Sequence, residues 1–305
     1  MRDRKHQFAM KISFVILTYH RGEYLQRCVD SILAQKNLST PFEILVIDNG
    51  GDASVKPSTT PDIFIRVHVP DENLWATGGR NLGMSLAQGE YIVVIDDDAT
   101  WADEYAVQRM IHHLETIPGC GAVAVKSLTP EGNVIRSELP HPNKAYILAV
   151  SRPVEVPYFY TMGMALTAKI LSETGDYPAR FQIYAEEVDL SLRIINAGYR
   201  IIFDPDIAVL HFRAQQGRPF DGDRYWYKNA LNKIRVAWRL LPQPYPITTF
   251  VVWSAALLIK TRNPKLVFQL MTALWRERTL LSSERTPVKP DTLHYLRKIG
   301  ARLLY

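Results

Sequence analysis

Three consecutive carboxylates, Asp96, Asp97 and Asp98, close the apolar run YIVVIDDDATW. Adjacent like charges repel, and a solvated acidic turn with Asp98 capping the next helix would be the plain structural use of them. Side chains alternate along an extended segment, so Asp96 and Asp98 face one way and Asp97 the other. Two carboxylates on one side of a strand end suit a hard divalent cation, Mg or Mn, that also takes diphosphate oxygens.

Three further segments carry candidate chemistry. In SFVILTYHRGEYLQRCVDSILAQ and the following FEILVIDNGGD, apolar runs end at Thr18 and at Asp48. A carboxylate at such an edge can accept from the N–H of a nucleotide base, and the adjoining glycines permit close backbone approach. In NLWATGGRNLGMSLAQGEY, Gly78 and Gly79 open a helical pattern from which Arg80 projects, an arrangement suited to an anion. It is not a dinucleotide fingerprint, because Arg80 stands where that pattern needs glycine. In FQIYAEEVDLSLRIINAGYRIIFDPDIAVLHF, Glu186, Glu187 and Asp189 gather at a helix start, where the macrodipole favours them. Glu186 or Asp189 could simply pair with Arg193 or Arg200, but a carboxylate facing a cleft would serve as a general base. His211 ends the last apolar run and is either a satisfied structural histidine or a metal ligand.

The elements needed to place these groups are legible. Ser13–Leu17, Glu43–Ile47, Phe64–Val67, Tyr91–Ile95 and Ala122–Val125 read as strands, most of them continuously apolar as in sheets covered on both faces. Tyr24–Gln35, Thr77–Gln88, Ala102–Ile117 and Tyr184–Ala197 read as helices, and Ile201–Phe203 and Ile207–Leu210 as short strands. The alternation implies an α/β fold with a mostly parallel central sheet, whose ligands bind beyond the carboxyl ends of the strands. Residues 126–160, with five prolines, read as loops and an edge hairpin facing an acceptor. Tyr225–Leu240, Ile247–Lys260 and Leu266–Leu280 form a helical C-terminal extension. We therefore expect a catalytic domain over 1–222 and a basic helical region over 223–305 that binds a membrane, makes a homodimer or packs on the catalytic domain.

Charge separates the two regions. Residues 211–305 hold 17 Lys and Arg against 5 Asp and Glu, a balance of +12, while the remainder holds 19 against 26, a balance of −7. A basic tail implies an anionic partner: a phospholipid surface, a lipid-pyrophosphate acceptor or nucleic acid. Trp226, Tyr227, Trp238, Trp253 and Trp275 interleave with Lys228, Lys233, Arg235, Arg239, Lys260 and Arg276, which suits a membrane interface. The apolar stretch Ile247–Ile259 is shorter than the ~20 residues of a span. The basic N-terminus MRDRKHQFAMK is followed by a strand and not by an apolar signal region, so export is not expected. Cys28 and Cys120 read as buried reduced thiols and not as a disulfide or metal site.

Taken in order over residues 11–212, the segments SFVILTYHRGEYLQRCVDSILAQ, LVIDNGGD, NLWATGGRNLG, VVIDDDA, YAEEVDLSLRIINAGY and VLHF resemble the family 2 glycosyltransferases, with their Rossmann-like GT-A fold. The resemblance implies inverting transfer of a hexosyl or deoxyhexosyl unit from a nucleotide-diphosphate sugar to an acceptor hydroxyl. Thr18 and Asp48 match positions that hold the nucleotide base, and Arg80 matches a donor-side position. Asp96, Asp97 and Asp98 match the Asp-x-Asp motif, with Asp96 nearer the ribose and Asp98 the direct metal ligand. His211 matches a metal-coordinating histidine of some members. Glu187 matches the catalytic base, but the chain reads Glu-Glu where relatives usually have Glu-Asp, moving the carboxylate by ~1.5 Å and keeping Glu186 as a candidate. Members that assemble bacterial cell-surface polysaccharides use glycan or lipid-linked acceptors. This context implies a cytoplasmic enzyme, peripheral at the inner face of the membrane, with no nucleic-acid partner. A sugar nucleotidyltransferase would need a glycine- and basic-rich first strand end where this chain has TYHRGEY, and a binding protein without turnover would not need Asp96, Asp98 and Glu187 together.

Overall fold

The computed structural model describes residues 10–39, 41–58, 60–215 and 220–303; most of the basic N-terminus lies outside them. The first half alternates strand and helix: β1 (Ile12–Thr18), α1 (Gly22–Leu33), β2 (Phe42–Asp48), β3 (Ile63–His68), α2 (Trp75–Leu86), β4 (Tyr91–Asp96), β5 (Ala99–Trp101), α3 (Ala106–Thr116) and β6 (Cys120–Leu128). Then come α4 (Lys144–Ala149), β7 (Val154–Glu155), β8 (Met164–Thr167), α5 (Ala168–Thr174), α6 (Glu186–Asn196) and β9 (Arg200–His211). The chain closes with α7 (Gly222–Leu240), α8 (Tyr245–Thr261), α9 (Pro264–Arg276), α10 (Arg278–Ser283) and α11 (Pro290–Lys298).

Nine strands form one sheet in the order β3-β2-β1-β4-β8-β6-β9-β5, with β7 also on β9. β3, β2, β1 and β4 are parallel, as are β6 and β9, while β8, β5 and β7 run antiparallel to their neighbours. The continuous apolar runs have the expected cause. Phe14 and Ile16 enter the core under α1 and α3, whereas Val15 between them enters the core on the opposite face, so β1 is covered on both sides. Both cysteines are buried and free.

Three local readings change. The two short strands after α6 are one strand, β9, whose register against β6 slips between Ala124 and Lys126. Residues 126–160 contain the end of β6, a single bridge from Leu128 to Val134, a 3₁₀ turn at Arg136–Glu138, α4 and β7, in place of an edge hairpin. β8, which no periodicity announced, inserts between β4 and β6.

The C-terminal helices divide in two. Val236, Ala237, Leu240 and Leu241 of α7 and its end, with Val288, Leu296 and Leu303, share one core with Leu190 and Leu192 of α6 and Phe203 of β9. A separate small cluster of Ala230, Leu231, Ile234, Leu257 and Leu270 holds α8 and α9 against α7. Among the described residues no helix is long and apolar enough to cross a membrane.

Candidate functional site

The carboxyl ends of β1, β2, β4 and β9 converge with the starts of α2 and α6. Strand pairing makes the first contact: β5 runs antiparallel to β9 with Ala99 opposite His211, and the Phe212 amide donates to the Asp98 carbonyl at 2.9 Å. Asp98 is thereby set beside His211, whose Nε2 lies 3.3 Å from Asp98 Oδ1. With Asp96 they form a group whose nearest ligand atoms all lie within 4.8 Å of one another. Two hard carboxylates and one imidazole this close together are a donor set that would suit a divalent cation.

Glu138, from the 3₁₀ turn, holds the other side of the imidazole. Its Oε2 lies 2.8 Å from His211 Nδ1 and accepts from Ser127 Oγ at 2.5 Å. That contact aims His211 Nε2 at Asp98, the role outer partners play around metal-binding histidines. Burial alone would lower the His211 pKa, but Asp98 and Glu138 raise it to about 10. Against its own burial, Asp98 is held below the usual carboxylate range chiefly by His211.

Arg80 links this group to the head of α6. Its Nη2 donates to Asp96 Oδ1 at 2.7 Å, and its Nη1 reaches Glu186 Oε1 at 3.4 Å. The glycines around it act differently from the sequence expectation. α2 begins at Trp75, so Arg80 lies beyond the first turn. A Cβ on Gly79 would overlap Leu17 Cδ1, and one on Gly83 would overlap Val15 Cγ1. These glycines let α2 settle onto β1, and the close approach brings Arg80 against Asp96.

The two glutamates differ. Glu186 is fully buried, and its Oε2 has no partner among the described residues. Burial first, then the charge of Glu187, push its carboxyl up to about 8. Glu187 is half-buried and its Oε1 accepts from Thr161 Oγ1 at 3.5 Å; burial raises its pKa while Arg80 opposes the rise. Asp189 leaves the list of candidates, because it is fully buried between Arg193, at 2.8 Å, and Arg239. Arg200 pairs elsewhere, with Glu155 at 3.0 Å.

Three sequence candidates, Asp48, Thr18 and Asp97, hold hydrogen-bond partners within the fold. Asp48 is buried and wraps its own loop: Oδ1 accepts from the Gly50 and Gly51 amides at 2.9 and 3.0 Å, and Oδ2 from Ala53 at 2.7 Å. Thr18 donates to Asp97 Oδ2 at 2.7 Å, and Arg21 donates to Asp97 Oδ1 at 2.9 Å. Arg21 Nη1 also lies 3.4 Å from Asp98 Oδ2, so in this turn Asp97 and Asp98 share a partner instead of facing opposite ways, and burial pushes the Asp97 pKa up to about 6 against the pull of Arg21.

The segment leading into α6 is strained and held from a distance. Gln182, Tyr184 and Ala185 have φ of 62°, 75° and 66°, each costing ~1–3 kcal/mol for a residue other than glycine. Asn232 of α7, fully buried, donates through Nδ2 to the carbonyls of Phe181, Ile183 and Tyr184 at 3.0, 2.9 and 3.0 Å. Arg235 donates to Asn232 Oδ1 at 2.8 Å and makes a two-pronged contact with Glu277. Sequence reasoning missed Glu138, Arg21 and Asn232. Their partners lie far along the chain, and no local spacing marks them.

Residues 13–175 match the model of glycosyl transferase family 2. The glucosyl-dolichyl phosphate glucuronosyltransferase of Haloferax volcanii is 26% identical over 233 residues, covering 70% of this chain and 72% of that protein. The N-acetylglucosaminyl-diphospho-decaprenol L-rhamnosyltransferase of Mycobacterium tuberculosis is 24% identical over 243 residues, covering 66% and 75%. Among solved structures, a mannosyltransferase from Pyrobaculum calidifontis, in complex with GDP-Man and Mn2+, superposes with a TM-score of 0.57 at 18% identity, covering 98% of this chain and 82% of that one. At that identity the match speaks for a shared GT-A fold.

Proposed function

The chain belongs to glycosyl transferase family 2, whose members act on nucleotide-sugar donors, and on that premise we propose that it inverts the anomeric centre of a hexosyl or deoxyhexosyl donor while passing the sugar to a lipid-linked acceptor hydroxyl. The observation that carries the reading is the Asp96–Asp98–His211 group joined through Arg80 to Glu186, the neighbour of Glu187 at the head of α6. Asp96, Asp98 and His211 would hold a divalent cation, which supplies neutralisation of the departing diphosphate. Glu187 is the base: it keeps some exposure, whereas Glu186 is sealed against Arg80. Its raised pKa brings it closer to the hydroxyl proton it must accept while leaving it ionised above that pKa. Arg80 holds Asp96 and Glu186 in place and adds positive charge where the diphosphate leaves. Thr18, Asp48 and Asp97 shape the donor wall through the loops they brace.

The names of the two relatives, each giving a polyprenyl-linked sugar as the substrate, support an acceptor of that class. The Mn2+ complex of the structural neighbour supports the cation. The biological setting we propose is glycan or glycolipid assembly at the bacterial cell surface, with the enzyme peripheral at the inner face of the membrane. Incubation with a panel of nucleotide sugars and short-chain lipid-linked acceptors, followed by NMR of the product's anomeric configuration, tests the reading. A product that retains the donor configuration overturns it.

A further inference from the structure

The aromatic and basic residues of the C-terminal region do not act as one surface. Trp226, Tyr227 and Trp253 pack against the small cluster of α7, α8 and α9. Arg235, buried, and Arg239, partly buried, are taken up in ion pairs with Glu277 and Asp189. None of these belongs to an outward face. Other residues do. On α8, Ile247, Val251 and Leu258 recur at helical spacing and are 57, 58 and 43% exposed, with Ile259 beside them at 71%. On α9, Phe268, Met271 and Trp275 recur at i, i+3 and i+7 and are 71, 52 and 65% exposed. Leu257 and Leu270 bury the opposite sides of both helices against α7, so the two open sides face away from α7 together.

Charge selects the occupant. Arg262, Lys265, Arg276 and Arg278 are exposed around this apolar face, and the sequence contains no Asp or Glu from Arg224 to Arg276. Arg278 lies 4.1 Å from the Trp275 ring centroid, pairing a cation with an aromatic at the rim. We propose that the open sides of α8 and α9 are a docking face for an anionic lipid bilayer, the two helices lying in the headgroup plane. The proposal rests on the peripheral location put forward above and names the face that produces it. Apolar side chains enter the acyl boundary while the basic rim meets anionic headgroups, and neither helix is long enough to cross.

The full chain is tested by co-sedimentation with vesicles of phosphatidylcholine alone or mixed with phosphatidylglycerol. Each basic side chain at an anionic leaflet strengthens partitioning about fivefold, so Arg262→Asn, Lys265→Gln and Arg276→Gln together lower it roughly 100-fold on the anionic vesicles. High salt lowers wild-type binding in the same way. Burial of one such apolar side chain is worth about tenfold or more, so Ile259→Gln, Phe268→Gln and Trp275→Gln together remove binding to both vesicle types. All six positions are exposed and outside the catalytic group, so transfer to a water-soluble acceptor stays at the wild-type level. Partitioning of either triple variant like the wild type overturns the proposal. So does a wild-type dimer by light scattering that the apolar variant converts to monomer, since a second copy would then cover the face. Absence of transfer by the wild type would sink the enzymatic reading and leave the vesicle result standing.

Discussion

Asn232→Ala separates positioning of the base from binding of the donor. Asn232 supplies two amide hydrogens to three carbonyls of the strained segment before α6. Phe181 keeps the Ile183 amide as a second partner, so the carbonyls of Ile183 and Tyr184 bear the loss. Both carbonyls are only partly buried, so at the low end of ~1–3 kcal/mol for each unsatisfied group the variant should lose about 2 kcal/mol of stability. For a chain of this size that lowers Tm by roughly 3–8 °C. Freed of the clamp, Tyr184 and Ala185 can relax out of positive φ, and the Glu187 carboxylate moves with them. A displacement of about 1 Å at a reacting group costs on the order of 10²-fold in rate. The Asp96–Asp98–His211 group is built from the end of β4, the turn before β5 and the end of β9, and it keeps its geometry. The expected result, measured well below the variant's Tm, is therefore a kcat lowered 10- to 100-fold with an unchanged KM for the donor. Asn232→Asp is the second arm: it keeps the side-chain volume and the Arg235 contact but turns a carboxylate oxygen toward the carbonyls, and kcat should fall as far. A folded Asn232→Ala enzyme with wild-type kcat would refute the reasoning.

Asp98→Ala should abolish transfer and divalent-dependent binding of the nucleoside diphosphate, read by calorimetry with and without Mn2+; wild-type activity in excess chelator would remove the cation from the reaction. Glu187→Gln should lower kcat by ~10² or more with donor affinity intact, and if Glu186→Gln is the inactive variant, the roles of the pair are reversed. Because burial raises Glu187 above the ordinary carboxylate range and the base acts deprotonated, kcat should rise with pH through a limb above that range, and Glu187→Gln should lack it. Glu186 ionises in the unfolded chain at its ordinary 4.5 but in the fold only at about 8, so its stabilising contribution is complete below 4.5 and is lost as pH rises through about 8. Wild-type Tm should accordingly fall over that window relative to Glu186→Gln, and parallel Tm curves would show the carboxyl is not raised. Asp48→Ala should cost about 2–3 kcal/mol of stability by stranding loop amides, visible in denaturant unfolding, while a fall in nucleotide affinity without that loss would restore direct base recognition.

What the sequence revealed follows from the range of the interactions. Strands β1, β2 and β4 were visible because burial on both faces demands continuous apolar runs, a local property. Asp96 and Asp97 go to different partners, Arg80 for the one and Thr18 with Arg21 for the other, as alternation at a strand end leads one to expect. β8 was hidden because four residues, MALT, are too few to show a period, and its place is set by β4 and β6 on either side. Glu138 and Asn232 act on partners 73 and about 50 positions away, and nothing in SEL or ALN announces them. The tryptophans misled for a related reason: composition counts a Trp identically whether it packs inward, as Trp253 does, or outward, as Trp275 does.

The two ends of the site are fastened to different parts of the chain. The cation end depends on β4, β9 and the Glu138 turn, all within residues 91–211. The base end depends on α6, whose entry is held by Asn232 and whose Asp189 is paired with Arg239, both from α7. Arg80 spans them, by contacts to Asp96 and Glu186. Residues beyond 222 thus share core and ion pairs with α6. Removing everything beyond residue 222 leaves Asp189 buried without Arg239 and Leu190 without Val236 and Leu240 in their shared core. A buried charge stripped of one partner costs several kcal/mol. The truncated chain should thus lose the base geometry before it loses the cation group, and point variants on the open faces of α8 and α9 are the sound way to separate membrane docking from catalysis.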